Sequence, residues 1–333
     1  MKTIFLSSML EYSGKSTIAL GLAKNFEGRL GYYKPFREDV MCVERRVVDR
    51  DAYMMKKALN LEASEELLSP MKYDIFNPVT MESVVAGFEK VKDEFDLMLV
   101  EGAQLFSTGA RHNLDGMSIA KELGAEIILV STSTPDALDK IMIHERLAQV
   151  NGQSIKGVIL NMCDDPRVVK MVESAGVNVL GCIPTVQELN YPRVKEIVEG
   201  LNAEVLAGEE GLNRSVEKIM VGGMTAESAQ KEMRRLTRKA LIAGGDRSDM
   251  LMSALTTDTS CLILTGGLYP DQTILVKAEE QKIPVLLVGH GTQVTADMVD
   301  NLITRIDPSD TAKVEMVAEL VRRHVDLNAI WND

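Results

Sequence analysis

The sequence predicts an α/β protein: a doubly wound, mainly parallel sheet built around a P-loop, followed by a second, smaller α/β domain. Three observations carry this. Short apolar runs alternate with longer amphipathic ones from end to end, as βα units require. An apolar run near the N-terminus leads into Gly14-Lys15-Ser16-Thr17 and then a helical pattern. In the second half, glycine pairs begin at positions 222, 244 and 266, each 22 residues after the last.

The expected strands of the first half are Thr3–Ser7, Leu30–Lys34, Leu97–Glu101, Ile127–Ser131, Gly157–Asn161 and Val177–Ile183. Several are continuously apolar, as strands covered on both faces should be. Helical patterns lie between them over Ser16–Asn25, Asp51–Leu59 and Met117–Leu123, with another over Tyr191–Leu201. The polar, glycine-containing stretch Ala207–Asn213 then marks a boundary near residue 208, giving domains over 1–207 and 212–325.

Beyond it, strand-like Lys218–Val221, Ala240–Ala243 and Cys261–Thr265 each end in a glycine pair, and a fourth step reaches Val288-Gly289 after Pro284–Leu287. A period of 22 fits one short βα unit. Glycine at a strand's end allows a positive φ and lets a ligand approach the backbone. Tight strand-to-helix turns explain the pairs equally well. Asp246 and Arg247 bind a ligand there or pair to stabilise the turn, and His290 reads as a turn residue.

The bulk numbers bound the function. The chain has 333 residues, which at roughly 150 per domain suggests about two domains. Its 37 Lys and Arg against 49 Asp and Glu give −12, with no long basic run, which argues against nucleic acid and anionic membrane surfaces as partners. No stretch of about 18 apolar residues is present, and the N-terminal apolar run is too short for a signal peptide. Cys42, Cys163, Cys182 and Cys261 form no CxxC pair and read as small, partly buried thiols. A soluble, reducing, cytoplasmic setting is expected. The four histidines have no metal-like or triad-like partners, so a Ser-His-Asp hydrolase lacks support.

The chemistry of the first motif follows from its order. A strand delivers the loop Ser8–Gly14 to a helix N-terminus, where backbone N–H groups and the helix dipole cradle phosphate oxygens. Ser13 and Gly14 form the loop, Lys15 reaches the β- and γ-phosphates, Ser16 ligates Mg²⁺, and Thr17 is an additional phosphate donor. The expected cofactors are ATP and Mg²⁺. One departure stands out: Met9 occupies the place of the motif's first glycine.

That deviant loop resembles the dethiobiotin synthetase-like branch of P-loop proteins, with cobyrinic acid a,c-diamide synthases and the N-terminal domain of long phosphotransacetylases. Gly31-Tyr32-Tyr33-Lys34-Pro35, Asp49-Arg50-Asp51-Ala52, Val100-Glu101-Gly102-Ala103, Gly157-Val158-Ile159-Leu160-Asn161 and Val179–Pro184 look like further family segments. The resemblance implies that Ser16, Asp51 and Glu101 hold Mg²⁺, with Asp49 as the competing carboxylate. It places Lys34 beside the acceptor and Asn161 against the adenine. Helix capping is the plain alternative for Asp49 and Asp51, an exposed lysine for Lys34, and a turn for Asn161. A homodimer is the family's implication. Gln104-Leu105-Phe106 replaces an often Gly-rich stretch and departs from the diaminononanoate pocket; Arg111 and His112 follow in a loop that could take an anion.

The second half resembles the DRTGG domain through Val221-Gly222-Gly223-Met224, Gly244-Gly245-Asp246-Arg247 and Leu264-Thr265-Gly266-Gly267. That likeness implies a ligand-sensing or interaction module. The resemblance reaches the front portion of long phosphotransacetylases and not their acetyl-transferring domain, so acetyl transfer is not among the expectations. Three functions stay open: a Mg-ATP-dependent ligase-type enzyme that activates a carboxylate or carbamate, a nucleotide-responsive regulatory switch, and a partner of a metabolic enzyme that holds ATP structurally.

Overall fold

The computed structural model describes every residue except 75, 77, 78, 223–225, 303 and 333. Gly223 and Met224 of the first glycine pair and its motif therefore lie outside the described residues. Two compact units are present, one of Met1–Thr185 with Ile306–Asp333, the other of Val186–Arg305.

In the first unit the chain runs β1 (Lys2–Ser8), α1 (Lys15–Lys24), β2 (Leu30–Tyr33), β3 (Phe36–Arg37), β4 (Val40–Val43), β5 (Arg46–Asp49), α2 (Arg50–Leu59), α3 (Glu65–Leu68), β6 (Met71–Lys72), α4 (Met81–Glu89), β7 (Leu97–Glu101), α5 (Gly116–Glu122), β8 (Glu126–Ser131), α6 (Pro135–Val150), β9 (Ile155–Leu160), α7 (Arg167–Ser174) and β10 (Val179–Cys182). Six strands form one sheet in the order β10-β9-β8-β1-β7-β2, with every neighbouring pair parallel. The five residues of β7 are all buried, which is why it reads as an unbroken apolar run closed by Glu101. Phe5, Met98, Val100, Leu129 and Val158 meet Val84, Phe88, Met117 and Ile141 in one core layer. The central strand β1 has β7 on one side and β8 on the other, so the order reverses there, the usual place for a ligand crevice at the carboxyl ends.

The second unit holds α8 (Val194–Leu201), β11 (Glu204–Ala207), β12 (Lys218–Val221), α9 (Ala226–Met233), β13 (Lys239–Gly244), α10 (Ser248–Leu255), β14 (Thr259–Thr265), α11 (Gln272–Glu280), β15 (Val285–Leu287) and α12 (Thr292–Asp300). Its sheet runs β11-β15-β14-β13-β12, parallel except for β11 against β15. Alternation along β13 sends Leu241 and Ala243 into one core and Ala240 and Ile242 into the other, so helices cover both faces. The 22-residue period is the repeat of strand and helix from β12 to α12. Gly266 and Gly267 do adopt positive φ, 74° and 67°. Arg247 donates to the Gly222 carbonyl (3.2 Å) and pairs with Asp249, and the His290 carbonyl accepts from Gly266 N–H (2.8 Å), joining the segments beyond β15 and β14.

The expected limits of the domains shift at both ends. The first unit's leading segment ends at Thr185, not 207, because α8 packs with α12 in the second unit's core. The last segment is not part of the second unit: α13 (Thr311–His324) and α14 (Leu327–Trp331) return to the first. Helix α13 lies on α1 so closely that a Cβ on Gly21 would come within 2.3 Å of Val321 Cγ2. Asn25 Nδ2 donates to the Ala318 carbonyl (2.8 Å), and Phe26 packs edge-on against Trp331. An amphipathic helix does not announce which sheet it will cover. The hairpin β4–β5 is likewise an addition to the sequence reading, and on it Cys42 is exposed rather than partly buried. All four cysteines are free. No helix among the described residues is long and apolar enough to cross a membrane.

Candidate functional site

The loop between β1 and α1 is built from both its ends. Ser8 Oγ lies 2.6 Å from Ser13 Oγ and accepts from Leu10 N–H (3.2 Å), closing the loop on itself. Met9 is 5% exposed and belongs to the core layer beneath. A residue whose side chain enters the core needs no glycine, which accounts for the departure at that position. Gly14, at φ 82°, takes the left-handed turn into α1. Asn161, just beyond β9, donates from Nδ2 to the Ser13 carbonyl (2.9 Å), and a Cβ on Gly14 would lie 2.2 Å from that nitrogen. Gly14→Ala is therefore expected to cost at least about 1–2 kcal/mol of stability from its backbone alone, measurable as a lower urea midpoint, with further loss as Asn161 is pushed aside.

Lys15 and Ser16 open α1 and converge on Glu101 from the adjoining strand end. Lys15 Nζ donates to Glu101 Oε1 (3.0 Å) and to the Gly102 carbonyl (2.7 Å). Ser16 Oγ donates to the same Glu101 oxygen (2.7 Å), and Tyr32 OH to the other (2.8 Å). Glu101 is fully buried, so each of these partners offsets the desolvation of its charge. Burial first, and then Glu101, raises the Tyr32 hydroxyl well above its ordinary pKa. Thr17 follows, half-buried, in the first turn.

Lys34 is 2% exposed, not a surface lysine. Its Nζ donates to Asp49 Oδ2 (3.0 Å) and Oδ1 (3.2 Å) and to Asp51 Oδ2 (2.6 Å). Burial alone would lower its pKa, but Asp51, Asp49 and Glu101 together hold it well above the ordinary value. Asp51 is also desolvated; the charges of Lys34 and Lys15 and hydrogen bonds from Lys34 and Ser16 outweigh that and keep it below the usual carboxylate range. Asp49 goes the other way, raised by burial more than Lys34 lowers it. Its oxygens serve Asp51 N–H (3.0 Å), Ala52 N–H (3.1 Å) and Glu38 N–H (3.2 Å), so it is the N-cap of α2 and the anchor of the loop before it. The structure thus gathers Ser13, Gly14, Lys15, Ser16, Lys34, Asp49, Asp51, Glu101 and Asn161 at one sheet edge. Among the described residues, none of these carboxylates forms a ready-made cluster of three metal-binding groups; lysines stand between them. Arg111 and His112 sit apart in sequence, exposed on a 3₁₀ turn.

Two site residues escape the sequence reading. Tyr32 shares a strand face with Lys34 by simple alternation, with Tyr33 on the opposite, core side, and that parity was the available signal. Glu38 accepts from Gln104 N–H through Oε2 (2.8 Å) and had no local signal.

Residues 2–193 match the AAA domain family and residues 196–302 the DRTGG domain. The phosphate acetyltransferase of Pseudomonas putida is 27% identical over 99% of this chain and 51% of its own length. That of Nitrosomonas europaea is 26% identical over 98% and 50%. The chain spans about half the length of the curated relatives it matches. Among solved structures, the ParA family ATPase from Chlorobium tepidum is 18% identical over 57% of this chain and 86% of its own, with a TM-score of 0.37. The CBS and DRTGG domains of the regulatory region of Clostridium perfringens pyrophosphatase, complexed with diadenosine tetraphosphate, are 20% identical over 56% and 83%, with a TM-score of 0.30. With more than half its length matching, and a phosphate-binding loop at the switch point of a parallel sheet, the chain belongs to the AAA domain family of P-loop proteins and carries a DRTGG domain within it.

Proposed function

We propose that the first unit binds ATP with Mg²⁺ and transfers its terminal phosphoryl group to a carboxylate or carbamate, in the manner of the dethiobiotin synthetase-like ligases, with the DRTGG unit as a ligand-sensing module. One observation carries this reading: Lys15, Ser16, Asp51 and Glu101 meet at the end of the P-loop strand, with Lys34 buried beside them. The donor set fits the metal. Ser16 Oγ and the Asp51 and Glu101 carboxylates are hard oxygen ligands, and few protein ligands plus phosphates is the usual arrangement for Mg²⁺. Asp49 is committed to the α2 cap and Lys34, which leaves Asp51 and Glu101 as the carboxylates for it. When bound, the metal neutralises phosphate charge. Lys15 binds the phosphates, Asn161 fixes the loop beneath the base, and Lys34 orients the acceptor. A homodimer in the cytoplasm is the accompanying expectation.

A regulatory reading is favoured by a different observation: a DRTGG domain, matched over residues 196–302, accompanies the P-loop unit. In that reading the nucleotide is bound and held without turnover. Calorimetric titration of MgATP into the native protein and Lys15→Ala, with phosphate release followed in parallel, tests both. The native chain is expected to bind, and Lys15→Ala to bind at least about 100-fold more weakly, since a buried charge-assisted contact to phosphate is lost. Equal affinity in the two proteins would sink the P-loop assignment. Binding without phosphate release would select the regulatory reading.

A further inference from the structure

Glu38 stands between β3 and β4, where that segment meets the loop after β7. Its backbone N–H is fixed to Asp49 Oδ2 (3.2 Å), and its Oε2 accepts from Gln104 N–H (2.8 Å). The same carboxylate thus joins the segment that carries Lys34 to the segment that carries Glu101. The donor is the backbone N–H of Gln104, the first residue of the stretch that departs from the glycine-rich pattern, so the tie itself does not depend on that side chain. Desolvation raises the Glu38 carboxyl above its ordinary pKa, and the charges of Lys34 and then Lys15 only partly oppose this. Neither is its partner: Lys34 is held by Asp49 and Asp51, and Lys15 by Glu101 and the Gly102 carbonyl. Glu38 remains exposed, and its second oxygen has no partner among the described residues.

We infer that Glu38 is a specificity-determining residue of the acceptor subsite: its free carboxylate oxygen receives an ammonium group of the acceptor. This rests on the phosphoryl-transfer reading of the same site. A small molecule that approaches the strand ends between Lys34 and Glu101 meets Glu38 at the rim. Lys34, already neutralised by two carboxylates, offers no net positive charge to balance a second anionic end. An acceptor whose reacting end is a carboxylate or carbamate is therefore sorted by its other end, and an ammonium there satisfies Glu38 while a carboxylate opposes it.

Glu38→Gln separates charge from architecture, because the amide carbonyl still accepts from Gln104 N–H while the charge is gone. The probes are 1,4-diaminobutane and succinate, equal in length and opposite in charge, titrated at matched ionic strength into the native full chain and Glu38→Gln without nucleotide. Urea unfolding of both proteins reports whether the loops hold. The native chain is expected to bind the diamine at least about tenfold more tightly than succinate, and Glu38→Gln to lose that preference, as removal of a charged hydrogen-bond partner should cause. Absence of the preference in the native chain, or its persistence in Glu38→Gln, would each overturn the assignment. Failure of MgATP to bind the native chain is read in a separate titration and would instead sink the P-loop reading.

Discussion

A chain ending at Arg305 is expected to lose the cooperative fold of its P-loop unit. The final segment supplies Val314, Val317 and Val321 of α13, which packs on α1, and Ile330 of α14, each at most 5% exposed. Fully burying one such side chain contributes about 1.5–3 kcal/mol. Several together approach the entire stability of a domain, about 5–15 kcal/mol. The loss also strips polar ties: Asn25 Nδ2 to the Ala318 carbonyl, Arg322 Nε to Asn25 Oδ1 (3.0 Å), and the antiparallel bridge from Gly181 to Val325. Urea unfolding followed by far-ultraviolet circular dichroism should show two transitions in the native chain. In residues 1–305 one of them should vanish, with dye binding to exposed apolar surface. A truncated chain that keeps both transitions at their native midpoints would show that α13 is dispensable to the first unit.

Lys34→Ala should be the most damaging single substitution in the site. It leaves Asp49, with no exposure, and Asp51, 22% exposed at its side chain, facing each other without a cation. Removing one partner of a buried ion pair costs about 3–5 kcal/mol, because the charge left behind is desolvated and unpaired. The pH dependence has a definite sign. In the native chain Asp51 lies below its ordinary value, so its contribution is complete above the usual carboxylate range and is lost as pH falls through the depressed value. In Lys34→Ala both carboxylates are pushed upward by burial and by each other. Acid protonates them and relieves the repulsion, so the deficit relative to the native chain is expected to be smaller at about pH 4 than at about pH 7. Urea midpoints at the two pH values test this. A deficit that grows on acidification would mean that Lys34 does not carry the charge balance of these carboxylates.

How much of this was legible depends on the range of the interaction involved. The P-loop is a local signal: strand, turn and helix follow one another, and β1 and α1 lie within about a residue of their expected limits. Glu101 was visible because a carboxylate closing an apolar strand has to be explained. The 22-residue glycine spacing was visible because each βα unit repeats the same local chemistry. Asp49 was legible only as an alternative, since a residue before a helix is both a natural cap and a natural ligand; three backbone N–H groups settle its place in the fold. Glu38 and α13 were not legible at all. One meets a backbone amide 66 residues away, the other a helix almost 300 residues earlier, and neither pairing leaves a periodicity in the local sequence.

On the proposed reading, the tie between Lys15 and Glu101 would make phosphate and metal mutually dependent ligands. Lys15 already serves as counter-ion to a buried carboxylate, so a phosphate that draws the ammonium away leaves Glu101 without its charge partner. A divalent cation arriving alone finds the lysine in its place. Each ligand thus removes the obstacle to the other, and the coupling free energy is the same whichever arrives first. A site that binds as proposed would respond to the complex of nucleotide and metal, and discount either one by itself.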